Sequence, residues 1–164
     1  LAPCGDVYFM AYKRIDFDED IYFESLMQSD YNKLSKFFEP IFEGYTVKQL
    51  RELIYSSFNM CCFVHNELIG SIVYTKVTVK DVFFIDIILI GVEGEKRKGV
   101  GTLLFNKLKD SCKNFVAFVD NGTEATSFFE RLEFIKNEEL GKILQRKVSS
   151  QTHSTFNIFG FTYD

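Results

Sequence analysis

The chain has 164 residues, 46% of them hydrophobic and 26% charged, with a net charge of −4 at pH 7. That length supports one domain over residues 1–164, burying roughly two thirds of the surface its unfolded form exposes, with the composition of a soluble globular protein. The acidic balance argues against a general nucleic-acid binder, and no apolar run reaches the ~18 residues of a membrane span. The four cysteines, Cys4, Cys61, Cys62 and Cys112, form no C-x-x-C pair, and His65 and His153 are too scattered to complete a zinc pattern. Free thiols without a metal are expected, in a reducing compartment, nuclear or cytoplasmic. The N-terminus lacks the order of a signal peptide, and its opening Leu fits a piece cut from a longer chain. Nineteen Phe and no Trp imply a core filled by phenyl rings.

In chain order, residues 6–13, "DVYFMAYK", read as a strand by their aromatic and β-branched content. Asp16, Asp18, Glu19 and Asp20 crowd the next stretch, either as a solvated loop or as a docking edge for a basic substrate. Ser29 or Asp30 is placed to cap a helix through Leu34, Phe37 and Phe38 that stops before Pro40. Thr46 and Gln49 have capping-box spacing ahead of the stripe Val47, Leu50, Leu53 and Ile54. "MCCFVH" and "LIGSIVYTK" flank Asn66 and Glu67 as a hairpin, and "VFFIDIILIGV" is a longer strand, apolar on both faces and therefore central. A helix over 99–113, the strand "NFVAFV", a helix in "GTEATSFFERL" opened by Asn121 or Thr123, and a last strand "TFNIFGF" complete a mixed α/β chain.

The junction after the central strand, "EGEKRKGVGTLLF", sets Lys96, Arg97, Lys98, Gly99 and Gly101 at a helix start. Exposed backbone N–H groups beside cations make an anion site in outline. A mononucleotide P-loop fails, because Val100 stands where its Lys must be. The dinucleotide fingerprint is a closer decoy: Gly99-Val100-Gly101 precedes a helix and a strand ending at Asp120. Its third glycine, however, would fall at Leu104, and only 44 residues follow Asp120, too few for the remaining strands of a doubly wound sheet. A basic turn on an ordinary helix is the bland alternative.

Lys96-Arg97-Lys98-Gly99-Val100-Gly101-Thr102 resembles the acetyl-CoA loop R/Q-x-x-G-x-G/A of the GNAT superfamily of N-acetyltransferases. "NGTEATSFFERLEF", residues 121–134, is similar to the superfamily's later segment N-x-x-A-x-x-F-Y-x-x-x-G-F, with one extra residue between Asn121 and Ala125. Over about 50 residues the two stretches most resemble the coactivator-type histone lysine acetyltransferases. Lys96 departs from the usual Gln or Arg but keeps a donor and a charge. Glu133 replaces the Gly of "GF", where glycine would normally make a turn. The resemblance implies the GNAT acyl-CoA N-acyltransferase fold: a mixed, mostly antiparallel sheet of about six or seven strands flanked by about four helices.

The resemblance further implies direct acetyl transfer from acetyl-CoA to an amine, with a carboxylate as general base. Asp86 is the only ionisable residue in its strand, and desolvation among Phe84, Ile85, Ile87 and Ile88 predicts a raised pKa. It falls where the family carries a Glu if the following loop is one residue shorter; pairing to a neighbouring element is the alternative. By the same resemblance, Ile90, Gly91 and Val92 offer main-chain groups to the pantetheine arm, an N–H near Ile90 steadies the thioester oxygen, and residues 96–102 cradle the diphosphate. Ala125, Phe128 and Phe129 line the cofactor or the core, Phe129 standing where many relatives have a Tyr acid. The function implied is a lysine acetyltransferase of histone or other basic tails, within a possible larger chromatin complex. The alternatives are acetylation of small amines or protein N-termini, and an inactive acyl-CoA-binding or chromatin-interaction module.

Overall fold

A computed structural model describes residues 21–42, 44–79, 81–93, 99–120, 124–136 and 156–162. The strand expected at 6–13 and the acidic cluster at 16–20 lie outside them. Among the described residues are seven strands and four α-helices: β1 (Tyr22–Glu24), α1 (Tyr31–Phe38), α2 (Val47–Tyr55), β2 (Phe58–Val64), β3 (Glu67–Val79), β4 (Val82–Val92), α3 (Val100–Lys109), β5 (Asn114–Asp120), α4 (Glu124–Arg131), β6 (Ile135–Lys136) and β7 (Phe156–Thr162). They fall into two compact units, one holding the chain to Tyr74 with Leu89–Leu108, the other holding Thr75–Ile88 with the chain from Lys109 on.

In the first unit the strand order is β1-β2-β3-β4. β1 pairs antiparallel with β2 from Tyr22↔Phe63 to Glu24↔Cys61, and β2 with β3. The β2–β3 turn is made by His65 and Asn66, both at positive φ (51° and 63°), one residue earlier than the sequence placed it. Two consecutive left-handed residues suit the twist of a tight hairpin, and Asn tolerates that region. Where β1 ends, the Asn59 side chain takes over: it accepts from the Leu26 N–H (2.7 Å) and donates to the Leu26 carbonyl (3.1 Å), while Ser25 Oγ donates to the Asn59 carbonyl (2.6 Å).

α1 begins after a 3-10 turn, Gln28–Asp30, and Asp30 caps nothing with its side chain. Its carboxylate lies 3.7 Å from Lys33 instead, an exposed pair contributing little. α2 carries the expected capping box: Gln49 N–H donates to Thr46 Oγ1 (3.1 Å), and Thr46 N–H to Gln49 Oε1 (2.8 Å). Two first-turn donors are thereby satisfied. Leu34 and Phe38 of α1 and Leu50 and Ile54 of α2 form one side of the core; Ile72 of β3 and Leu104 of α3 are also fully buried.

In the second unit the order is β3-β4-β5-β7-β6. β4 and β5 are parallel, with Ile85↔Phe115, Asp86↔Val116 and Ile87↔Ala117, while β5–β7 and β6–β7 are antiparallel. A parallel neighbour requires a crossover, and α3 is that crossover in the chain. α3 stops at Lys109, short of the expected 113, because Cys112 is buried and donates from Sγ to the Asn114 carbonyl (3.2 Å), turning the chain into β5.

α4 ends in a left-handed turn at Glu133 (φ 68°). Phe134 N–H donates to the Phe129 carbonyl and Glu133 N–H to the Glu130 carbonyl, both at 3.0 Å, the two bonds of a Schellman motif. The turn expected of a Gly is therefore made, with a glutamate in it.

Candidate active site

Gly99 has φ 90°, a conformation open to glycine and strained for L side chains. Its carbonyl accepts from the Leu103 N–H (3.0 Å), so it opens α3. The N–H groups that follow, from Val100, Gly101 and Thr102, have no acceptor a turn earlier within the helix, and the first turn carries no acid. This end of the helix therefore presents oriented donors and a positive partial charge, the chemistry a diphosphate requires. The helix start is seated by Gly70 of β3: a Cβ there would meet Val100 Cγ1 at 2.7 Å and Leu104 Cδ1 at 3.1 Å. Lys96, Arg97 and Lys98 lie outside the described residues.

β4 supplies the next group. Its second half alternates: Leu89 and Gly91 are buried, whereas Ile88, Ile90 and Val92 are half-buried, so one face of the strand end stays open. Over Gly91 the packing is tight, since a Cβ would meet Ile41 Cδ1 at 2.8 Å and Phe38 Cε1 at 3.0 Å. Phe38 was read from sequence only as part of its helix and Ile41 not at all; the isolated Gly70 and Gly91 within strands were the available signal of close approach.

Asp86 is 1% exposed on β4, between the buried Ile85 and Ile87. Among the described residues its Oδ1 has no hydrogen-bond partner, and burial pushes its carboxyl up to about 7. An unsatisfied buried carboxylate oxygen is costly enough to demand a reason. A basic group near neutrality in a water-poor setting can accept a proton from an amine.

In the second unit the Phe128 and Phe129 rings meet edge to face at 5.2 Å. Phe129 is 2% exposed and lies 5.0 Å from Phe134, so it is core; Phe128 is half-buried. The side chain of Ala125 lies outside the described residues. Gly99 to Thr102 and Ile90 to Val92 thus belong to the first unit, and Asp86, Phe128 and Phe129 to the second. No group of three or more His, Cys, Asp or Glu able to hold a metal occurs among the described residues, nor is any described helix long and apolar enough to cross a membrane.

The sequence pattern of the acetyltransferase (GNAT) family matches residues 22–134. The chain belongs to that family. It is accordingly an N-acetyltransferase that draws on acetyl-CoA, and the fold agrees. Tetrahymena GCN5 superposes with a TM-score of 0.70 at 16% identity, over 87% of this chain and 96% of that one. N-acetylglutamate synthase from Neisseria gonorrhoeae, complexed with coenzyme A and N-acetyl-glutamate, gives 0.66 at 13% identity, over 88% of this chain and 35% of that one. PaiA N-acetyltransferase from Thermoplasma acidophilum, in complex with coenzyme A, gives 0.62 at 14% identity, over 87% and 99%. No curated protein sequence matches the chain. In this GNAT acetyltransferase the N–H groups of Val100, Gly101 and Thr102 open α3, and Ile90, Gly91 and Val92 end β4.

Proposed function

We propose that this chain is a lysine N-acetyltransferase of histone or other basic protein tails, working by direct transfer with Asp86 as general base. The observation that supports it most is the buried carboxylate with an unpartnered oxygen. Acetyl-CoA supplies an activated acetyl thioester; the chain's residues do the rest. Main-chain groups of residues 96–102 hold the diphosphate, Ile90, Gly91 and Val92 hold the pantetheine arm, and the N–H near Ile90 steadies the thioester oxygen as negative charge develops there.

Asp86 takes the proton that the acceptor must lose before its lone pair can attack. A lysine ammonium has an unperturbed pKa of ~10.4. Transfer to a carboxyl at about 7 is uphill by about 5 kcal/mol, against about 9 for one at 3.8. Asp is a methylene shorter than Glu, and a bridging water between carboxylate and amine spans the difference. Phe129 has no proton to give, which a CoA thiolate, a stable leaving group, does not require. Asp16, Asp18, Glu19 and Asp20 draw in a basic substrate, in a nuclear or cytoplasmic setting and within a larger chromatin assembly.

The test is to incubate the chain with acetyl-CoA and, separately, mixed histones, small amines and peptides with free N-termini, and to read mass gain. Acetyl groups on lysine side chains support the proposal. Acetylation confined to small amines or α-amino groups moves the substrate class, and no transfer to any acceptor with intact acetyl-CoA binding makes the chain a binding module.

A further inference from the structure

We infer that Gly70 is a positioning residue for the acetyl-CoA site: by carrying no side chain, it sets how far the opening of α3 stands from the end of β4. The inference rests on the reading that these two segments hold the diphosphate and the pantetheine arm, and it deepens it.

Gly70 of β3 lies where the two segments meet. Its side-chain face carries Val100, with which α3 begins, and Leu104 one turn on, and the Gly91 carbonyl of β4 is 3.5 Å from the place of its missing Cβ. Beside it, the Ile69 carbonyl accepts from the Glu93 N–H (2.8 Å), which ties the end of β4 to β3. One half of the site is thus referred to β3 by a backbone bond, and the other by the contact over Gly70. That contact has no slack. A Cβ at position 70 would stand 2.7 Å from Val100 Cγ1 and 3.1 Å from Leu104 Cδ1, and both side chains are fully buried. Leu104 can yield by turning its far end. Val100 is branched at Cβ, keeps one χ1 in a helix and has no empty space to turn into. A methyl group at position 70 therefore moves the helix: restoring an ordinary contact of ~3.5 Å displaces the opening of α3 by about 0.8 Å. The N–H groups of Val100, Gly101 and Thr102 move with it, whereas Ile90, Gly91 and Val92 stay with β3. An anion held by oriented donors loses much of its binding to a shift of that size.

The experiment measures dissociation constants for acetyl-CoA by titration calorimetry and, by competition against it, for acetyl-pantetheine, which lacks the diphosphate. Binding is read directly, so neither the acceptor nor Asp86 enters the result. Gly70→Ala is expected to weaken acetyl-CoA by about tenfold or more and acetyl-pantetheine by less than about twofold. A role in stability alone would not separate the two ligands. Val100→Ala removes the atom that the new methyl meets, so adding Gly70→Ala to Val100→Ala should change acetyl-CoA affinity by less than about threefold. Circular dichroism checks folding; should Gly70→Ala alone not fold, the comparison of the pair with Val100→Ala carries the test. Unchanged acetyl-CoA affinity in a folded Gly70→Ala, or an equal loss for both ligands, overturns the inference. So does a pair that does not fold or that shows the full loss relative to Val100→Ala. Gly99→Val on the same two ligands tests the underlying reading. If it leaves the ratio of the two affinities unchanged, the diphosphate is held elsewhere and the inference falls with that reading; if it collapses the ratio while Gly70→Ala does not, the role of Gly70 alone falls.

Discussion

Phe134 donates its N–H to the carbonyl of Phe129 and sets its ring edge-on to the Phe129 ring, with centroids 5.0 Å apart. Backbone bond and ring contact together stop α4, and they do so across a residue that resists the turn. Glu133 holds φ 68°, which costs an L residue roughly 1–2 kcal/mol, offset in part by the chain entropy a glycine would lose. Glu133→Gly should therefore stabilise the protein by about 1 kcal/mol. Urea unfolding should show a higher midpoint with an unchanged slope. A lower midpoint would mean that the glutamate side chain contributes more than its backbone costs.

Gly99→Val places a branched side chain at φ 90°, where the diphosphate must come close. Acetyl-CoA affinity should fall by roughly 2 kcal/mol or more, from displaced charge-assisted bonds and a distorted helix start. Unchanged affinity by titration calorimetry would remove this loop from the cosubstrate site.

Asp86→Asn keeps size and hydrogen-bonding capacity but cannot accept the proton. kcat should fall by about 10²-fold or more, with acetyl-CoA affinity nearly unchanged. Because the base must be ionised, the parent rate should rise with pH and level off above about 7, a limb the variant should lack. Full kcat with the same profile in the variant would put the base elsewhere.

The same carboxyl makes stability depend on pH. Its folded value, about 7, lies above the ordinary 3.8, so between the two the native state binds more protons than the unfolded state, and stability falls as pH rises. From pH 5 to pH 8 the parent should lose up to about 3 kcal/mol that Asp86→Asn does not. Urea titrations of both proteins at the two pH values measure it; equal losses would assign the titration to another group.

Much of this was legible in the sequence because local chemistry decided it. Thr46 and Gln49 cap each other, and the apolar run of β4 was read with its observed ends, Val82 and Val92. Where tertiary packing decides, the reading slipped. Nothing in the pattern distinguishes Asp30 as a cap from Asp30 after a 3-10 turn, and the early stop of α3 depends on where Cys112 is buried. Among the candidate site residues, the sequence singles out Gly99 by spacing, and the structure gives it φ 90°; it singles out Asp86 by its lone charge among apolar neighbours, and the structure buries it. The cover that Phe38 and Ile41 form over Gly91 was not legible, since it joins residues about 50 positions apart that share no motif.

One consequence concerns other molecules of the same protein. Among the described residues, the three-residue β1 covers only part of its neighbour's rim, and an uncovered rim recruits strands from other chains. At Asn59 that rim is already engaged: the main-chain oxygen is held by Ser25, and the amide side chain stands in for a peptide group toward Leu26. A foreign strand arriving there would have to displace three bonds to form its own, a cost set by one asparagine.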